Sequence, residues 1–293
     1  MARPVFCRAR QQSLPSVIGA QRCAFNGGNP ARMKPPGTRQ PGLQFIPLPG
    51  LPIVEPGDDL VDLIASSLQR LAIRLAHRDV LVVAQKIVSK AEDRFVYLDA
   101  VEPSPRARSL AEETGKDPRL VEVILGESRR VVRHRRDVLI VEHRLGFVMA
   151  NAGVDSSNVG PSGGRQRVLL LPEDPDASAA DLRKRLSACF DCDVGVVISD
   201  SFGRAWRLGA TGVAIGAAGL PSLQDLRGQP DLFGRELEIT TVAFADQVAA
   251  GAALAIGEAA EATPVVLVRG LDWSQPATNA QALIRPPGED LFR

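Results

Sequence analysis

Polar residues that could bind a metal ion follow two apolar runs of this chain. Asp155 comes after the run 147–151, and Asp200 and Ser201 directly follow the run 194–199. Carboxylate and hydroxyl oxygens suit Mg²⁺ or Mn²⁺, which are hard cations that need few protein ligands and take the rest from water and phosphate. Aspartate is also common in turns and at helix N-caps, so the spacing alone leaves both interpretations open.

Two lysines, Lys86 and Lys90, interrupt or follow the apolar run 80–88. A lysine in a buried strand needs an anionic partner. A phosphate group would serve, because lysine acts as a compact positive charge in phosphate sites. A salt bridge with Glu92 or another carboxylate is the alternative.

Arginines form two further candidate anion sites. Arg204 and Arg207 lie in the segment SDSFGRAWRLG and could bind phosphate or carboxylate through two hydrogen bonds each, or could belong to a solvated basic face. The run 129–136 holds five arginines and one histidine. We interpret it as a solvated surface, with capture of an anionic substrate as the alternative.

Common nucleotide, zinc and hydrolase motifs are absent from the sequence. There is no GxxxxGK[ST], no GxGxxG after a strand, no HExxH and no GxSxG, and the three histidines do not cluster. Cys189 and Cys192 form a CxxC that closes a predicted helix, whereas a redox CxxC usually opens one. We therefore expect ordinary thiols in a reducing cytoplasm.

The bulk composition predicts a globular protein of one or two domains. The 293 residues are 45% hydrophobic and 24% charged. A net charge of +1 gives no indication of a nucleic-acid or anionic-membrane partner, and no apolar run reaches the roughly 18 residues of a membrane span.

The elements that must position these side chains alternate irregularly between strands and helices. Strands are predicted at 42–48, 80–88, 138–142, 147–151, 194–199, 236–245 and 265–268, and helices at 59–75, 103–114, 118–128, 174–190 and 246–260. Continuous apolarity over 80–88 is typical of a central strand covered on both faces. The mixture predicts an α+β or mixed α/β fold with buried sheets.

The chain divides into three predicted regions. Residues 1–41, rich in Arg, Gln, Pro and Gly, are expected to be a disordered extension, with Met33 as an alternative start and a transit peptide as another interpretation. Residues 42–271 are expected to form the folded domain or domains, and residues 272–293 a C-terminal tail.

A colinear set of segments from about Gly42 to Leu271 resembles the coenzyme F-420 gamma-glutamyl ligases. The segments are GLPIVEPGDDL, VLVVAQKIVSKAE, ANAGVDSSNV, LLLPEDPDASA, GVVISDSFGRAWRLG, GVAIGAAGL, DLFGRELEITTVAFADQ and PVVLVRG. The resemblance implies an acid–amino-acid ligase that joins L-glutamate to the glutamate-free coenzyme F-420 precursor with GTP. It adds one or more gamma-linked glutamates and releases GDP and phosphate, and an acyl phosphate is the expected intermediate.

The same resemblance implies ions, an assembly and a fold. It implies Mg²⁺ or Mn²⁺ at two divalent sites, K⁺, a family-specific mixed fold and an intertwined homodimer. Too few residues follow the similar region for an additional reductase domain, so the stand-alone form is expected. The alternatives are a metal-dependent phosphotransferase or phosphatase and a non-catalytic GTP-binding module.

The resemblance also implies roles for individual residues. The implied metal ligands are Asp155, Asp200 and Ser201, and the implied catalytic residues are Asp155, Asp200 and Lys90. The implied nucleotide contacts are Leu51, Pro52, Ile53, Val54, Gln85, Lys86, Lys90, Asn158, Leu254, Gly257 and Glu258. No residue is implied as the base for the attacking amine.

Overall fold

A computed structural model describes residues 42–160 and 163–291 of the chain. The predicted extension at residues 1–41 and the alternative start at Met33 lie outside the described residues. The strands are β1 Gln44–Pro47, β2 Val80–Ala84, β3 Phe95–Tyr97, β4 Ser128–Arg135, β5 Val138–His143, β6 Val148–Ala150, β7 Arg167–Leu169, β8 Gly195–Arg204, β9 Arg207–Ala218, β10 Leu223–Asp225, β11 Thr241–Ala243 and β12 Val265–Arg269. The helices are α1 Leu60–Arg70, α2 Gln85–Ala91, α3 Pro105–Thr114, α4 Pro118–Gly126, α5 Pro175–Phe190 and α6 Phe244–Ile256.

A five-stranded mixed sheet forms the centre of the fold, with the strand order β1-β12-β2-β8-β9. Strands β2 and β8 are parallel, and the other neighbours in this sheet are antiparallel. Smaller sheets pair β4-β5-β6, β3-β7 and β10-β11. The predicted mixed α/β class with several sheets is confirmed.

Strand β2 shows why the central sheet is buried on both faces. Leu81 and Val83 belong to the apolar cluster that includes residues of α1 and α5, whereas Val80 and Val82 belong to the cluster that includes residues of α6. This alternation follows from the two-residue period of a strand. Both faces of β2 are therefore covered by helices, which confirms the prediction of a central strand for this apolar run.

Two strand predictions are wrong. The run 80–88 is a strand only to Ala84, and α2 begins at Gln85, because a continuous apolar run records burial and carries no helical or strand period. The predicted long strand 236–245 is a strand only at 241–243, because α6 already begins at Phe244 and residues 235–240 lie in an exposed irregular segment. Helix α2 was not predicted, and neither were the strands β3, β4, β7, β9 and β10.

The segment 272–291 packs against the folded domain. Thr278 Oγ1 accepts a hydrogen bond from the Ser222 backbone, and the Ala280 backbone donates to Asp176 Oδ1. Ala280 is fully buried against the α6 side of the central sheet.

Glu127, which directly follows α4, lies in a cluster of basic side chains. Its Oε2 atom lies 3.0 Å from Arg144 Nε, 3.2 Å from Arg94 Nη2 and 3.5 Å from His143 Nε2. Burial opposes the charge of Glu127, but the nearby His143 ring and the two guanidinium groups outweigh it and lower its pKa to about 2. The ionised carboxylate therefore stabilises the folded state.

Glu127→Gln is expected to lower the free energy of unfolding by roughly 2–3 kcal/mol at pH 7. Since the pKa of Glu127 falls on folding, its contribution is complete above pH 4.5 and is lost as the pH falls from 4.5 towards 2. Urea unfolding at several pH values should show the two proteins converging in that window. Glu113→Gln, which removes an exposed partner of His134, should cost less than about 1 kcal/mol. A Glu127 effect that is independent of pH would contradict this account.

Candidate functional site

The site lies where β2 ends and its parallel pairing with β8 stops. Ala84 and Ser199 form the last pair in the register of these strands. Gln85 then begins α2, whereas Asp200 continues in β8 and pairs with Val213 of β9. Open α/β sheets commonly bind ligands at the carboxyl ends of parallel strands. Helix α2 starts there, which explains how Lys86 reaches the edge of the sheet.

A cavity of about 430 Å³ opens at this edge, which is within the usual range for small-molecule sites. Twelve of the residues implied for nucleotide or metal line it: Leu51, Pro52, Ile53, Val54, Gln85, Lys86, Lys90, Asn158, Asp200, Ser201, Gly257 and Glu258. Leu254 does not line the cavity, and its side chain is 90% exposed on α6. Asp155 also lies outside the lining, but it is joined to it through Lys86.

Lys86 is held by the loop that follows Asp155. Its Nζ atom donates to Asp155 Oδ2 at 2.7 Å and to Ser157 Oγ at 2.8 Å. Burial opposes the charge of Asp155, but hydrogen bonds from Lys86 and Ser157 hold its pKa below the usual value. Glu92, the alternative partner of Lys86 considered from the sequence, instead accepts hydrogen bonds from the Glu173 backbone and Ser178 Oγ.

A left-handed turn places Asp155. Asn151, Ala152 and Gly153 all have positive φ, and a Cβ atom at Gly153 would lie 2.8 Å from Leu171 Cγ, so only glycine fits there. After the turn, the backbone of Asp155 exchanges two hydrogen bonds with Leu169 at the end of β7. The backbone of Asp155 is therefore fixed by a neighbouring strand.

Asp200 is a carboxylate in an unfavourable environment. Burial raises its pKa to about 7, and the carboxylates of Asp155 and Glu258 add to this, against the backbone N–H of Ser201 and the charge of Lys86. Among the described residues, no group of three or more His, Cys, Asp or Glu side chains is arranged to hold a metal ion. An all-oxygen donor set with few protein ligands fits Mg²⁺ or Mn²⁺, whereas zinc commonly takes nitrogen and sulfur ligands.

Lys90 contributes a second positive charge to the cavity. Burial lowers its pKa, and the charges of Lys86 and Arg167 act in the same direction, whereas Glu55 opposes them. No salt bridge to Lys90 occurs in the part of the chain that the structure describes. Lys86 and Lys90 both line the cavity, and two cationic groups there favour an anionic ligand such as a phosphate.

The segment 257–263 closes another side of the cavity. Asn158 Nδ2 donates to the carbonyl oxygen of Ala259 at 3.1 Å, and Glu261 accepts from the Ala259 backbone. Thr263 Oγ1 donates to the carbonyl oxygen of Ala255 at the end of α6. Ala259 lies in the stretch 254–261 that the resemblance implied for the nucleotide, whereas Thr263 was not predicted, because residue types do not reveal a contact with a backbone carbonyl. Ser157 was also missed, although its position between Asp155 and Asn158 could have indicated it.

The arginine segments lie outside the cavity. Arg204 and Arg207 are exposed where β8 turns into β9, and neither lines the cavity. In the run 129–136, Arg129 and Arg130 contact Glu142. The geometry of the site therefore does not support a role for these arginines in it.

Comparison with known proteins identifies the family. The family model described as "F420-0:Gamma-glutamyl ligase" matches residues 50–270. The chain belongs to this family. A coenzyme F420:L-glutamate ligase of Methanopyrus kandleri is 50% identical over 257 residues, which cover 86% of this chain and 98% of that protein. Proteins with the same name from Methanothermobacter thermautotrophicus and Archaeoglobus fulgidus are 44% and 39% identical, again over 86% of this chain and over 99% and 96% of their own lengths.

Membership of the gamma-glutamyl ligase family confirms two predictions. The resemblance stated from the sequence segments is confirmed, and so is the assignment of the chain as an enzyme of the ligase class. Within the described residues of this family member, no helix is long and apolar enough to cross a membrane.

Proposed function

We propose that the chain joins L-glutamate to the glutamate-free coenzyme F-420 precursor by a GTP-dependent reaction and adds one or more gamma-linked glutamates. The relatives are named for a ligation with L-glutamate. The observation that carries the proposal is that the candidate residues line one cavity. It brings together the apolar wall 51–54, the cations Lys86 and Lys90, and Asp200 with Ser201. An apolar surface beside cations and carboxylates suits a base, its phosphates and a divalent cation.

The proposed reaction has two steps. A carboxylate oxygen of the precursor attacks the γ-phosphorus of GTP, and GDP leaves with the bridging oxygen. The amine of glutamate then attacks the acyl carbon of the acyl phosphate, phosphate leaves, and an amide bond forms. Activation is needed because a free carboxylate is a poor acyl donor at neutral pH.

The residues of the chain contribute mainly position and charge, as is general for phosphoryl transfer. Lys86 and Lys90 hold phosphate oxygens near the end of β2, and Asn158 orients the nucleotide from the opposite loop. Asp155, Asp200 and Ser201 would hold Mg²⁺ or Mn²⁺, with two divalent sites proposed. Such an ion neutralises phosphate charge when it is bound. K⁺ is proposed as an additional activating ion, to be tested by replacement with Na⁺.

A ligation assay tests the proposal. The protein is incubated with GTP, Mn²⁺, the precursor and L-glutamate, and the products are analysed by mass spectrometry. The expected result is growth of the precursor in steps of one glutamate residue, with one GDP per step. Phosphate release without glutamate incorporation would favour a phosphotransferase or phosphatase. GTP-dependent stabilisation without any GDP release would favour a binding module.

We further propose a homodimer in the cytoplasm, where the free thiols of Cys189 and Cys192 would stay reduced. Two segments of the fold expose large apolar side chains, the tip of the β8–β9 hairpin at 205–208 and the segment 226–240. These side chains, which are 87–99% exposed, are Trp206, Leu208, Leu232, Phe233 and Ile239. Concentrated exposed apolar side chains are typical of protein–protein contacts.

The double substitution Leu208→Glu and Phe233→Glu is expected to convert the dimer to monomers, because it would bury two charges in the proposed interface. Sedimentation equilibrium measures the mass of each form. Leu291→Glu changes an equally exposed leucine near the C-terminus and should leave the dimer intact. A dimer that survives the double substitution would exclude these segments as its interface.

A further inference from the structure

Ser157 contacts both charged residues on the loop side of the site. Its backbone N–H donates to Asp155 Oδ1 at 2.7 Å, and its hydroxyl donates to Asp155 Oδ2 at 3.0 Å. The same hydroxyl accepts from Lys86 Nζ at 2.8 Å, while Lys86 Nζ also donates to Asp155 Oδ2 at 2.7 Å. The three side chains therefore form a closed triangle of hydrogen bonds.

The hydroxyl group suits this position because it has one proton to donate and two lone pairs to accept. The proton goes to the Asp155 carboxylate, and a lone pair faces the ammonium of Lys86. The backbone N–H of Ser157 restrains the other carboxylate oxygen. Both oxygens of Asp155 are thus fixed in direction, and further lone pairs stay free for a cation.

A cation bound to Asp155 would weaken the ion pair between Asp155 and Lys86. It would compete with the ammonium of Lys86 for the carboxylate, because the two positive charges repel each other. Asp155 and Ser157 are the two hydrogen-bond acceptors that the structure gives Lys86. Ser157 would therefore keep Lys86 in the site after the carboxylate is engaged.

We propose that Ser157 is a positioning residue for Asp155 and Lys86. Its backbone and hydroxyl orient the Asp155 carboxylate for a divalent cation, and its hydroxyl gives Lys86 a second acceptor when the cation binds. The inference rests on the proposed function, since it takes Asp155 as a cation ligand. It adds a third residue to Asp155 and Lys86, which the resemblance implied as a metal ligand and a nucleotide contact.

Direct measurement of Mn²⁺ binding tests the inference without turnover. The signal of free Mn²⁺ in electron paramagnetic resonance gives the dissociation constant in nucleotide-free protein. Ser157→Ala is expected to raise this constant about five- to tenfold, the size of the net contribution of one ordinary hydrogen bond, since Ser157 is exposed. Ser157→Thr keeps the hydroxyl and should stay within about twofold of the wild type. Ser156→Ala, which changes the exposed neighbouring serine, should have no effect.

The same substitution in a Lys86→Met variant distinguishes a positioning role of Ser157 from a general loosening of the loop. Lys86→Met removes the competing ammonium, so Ser157→Ala added to it should raise the Mn²⁺ dissociation constant only about twofold. An equal effect of Ser157→Ala in both backgrounds would overturn the link to Lys86. Equal Mn²⁺ binding by the wild type and Ser157→Ala would overturn the inference as a whole.

Mn²⁺ binding by Asp155→Asn shows whether the inference about Ser157 fails alone or together with the proposed metal site. If Asp155→Asn binds Mn²⁺ as tightly as the wild type does, Asp155 is no cation ligand, and the inference fails together with that part of the proposed function. If Asp155→Asn loses Mn²⁺ while Ser157→Ala retains it, only the role of Ser157 is overturned.

Discussion

Asp155→Asn and Asp200→Asn are each expected to lower the turnover of GTP-dependent ligation by roughly two orders of magnitude or more. The reason is electrostatic. Both carboxylates lie beside the cations at the edge of the central sheet, and each substitution removes one negative charge from the proposed cation site. Charge neutralisation carries much of the rate of phosphoryl transfer, so a weakened cation site should act mainly on turnover at saturating GTP.

Steady-state kinetics at several Mn²⁺ concentrations measure the effect. A high Mn²⁺ concentration should recover part of the lost turnover, because asparagine keeps one oxygen ligand. Asp99→Asn is the matched control, since Asp99 is an exposed aspartate that pairs with Arg165. Near-normal ligation by both site variants would exclude these aspartates as essential groups.

Loss of folding should not explain the result for Asp200. Burial makes the charged form of this carboxylate unfavourable in the metal-free protein, as its raised pKa of about 7 indicates. The neutral amide of Asp200→Asn removes that unfavourable charge. We therefore expect its melting temperature to be at least that of the wild type, and thermal unfolding would show this.

The sequence predicted both aspartates as site residues but could not predict the strand pairing that places Asp200. Asp155 and Asp200 were singled out because each follows an apolar run, and their role as cation ligands stays a prediction. The parallel pairing of β2 with β8, which brings Asp200 next to the start of α2, depends on residues more than 100 positions apart. No local pattern records such a pairing.

The assignment of Lys86 illustrates a second limit. Its apolar surroundings predicted a lysine within a buried strand, yet it lies in the first turn of α2. Ile87 and Val88 are buried there just as strand residues would be, so their hydrophobicity gave the wrong element. The structure shows the alternative that the sequence left open, a salt bridge with a carboxylate, since Lys86 contacts Asp155. A phosphate contact of Lys86 stays a prediction. Burial and charge were readable from the sequence, and backbone conformation was not.

Strand β9 was missed because its composition is unusual for a strand. Glycine and alanine recur through 207–218, and both have low strand propensity. The small residues serve contacts with helices, since a Cβ atom at Gly212 would lie 2.5 Å from the carbonyl oxygen of Ala249 in α6. Tertiary packing decides this strand, so local propensity could not predict it.

Gly212→Ala is expected to lower the free energy of unfolding by about 1–3 kcal/mol, because the added methyl group overpacks the contact with α6. The same change should lower turnover roughly tenfold, since small displacements of reacting groups are costly. Gly212 lines the cavity and pairs with Ser201 in β8. A shift of β9 away from α6 would therefore move Ser201 and its neighbour Asp200.

Two other glycines allow the packing and site effects of Gly212→Ala to be separated. Gly203 lies in the same hairpin with open space around it, so Gly203→Ala should change neither stability nor turnover. A Cβ atom at Gly216 would overlap the carbonyl oxygen of Pro175, so Gly216→Ala should also destabilise the fold. Because Gly216 does not line the cavity, the folded fraction of that variant should keep most of its turnover. If Gly212→Ala loses stability but keeps full turnover, the placement of Ser201 does not depend on the contact between β9 and α6.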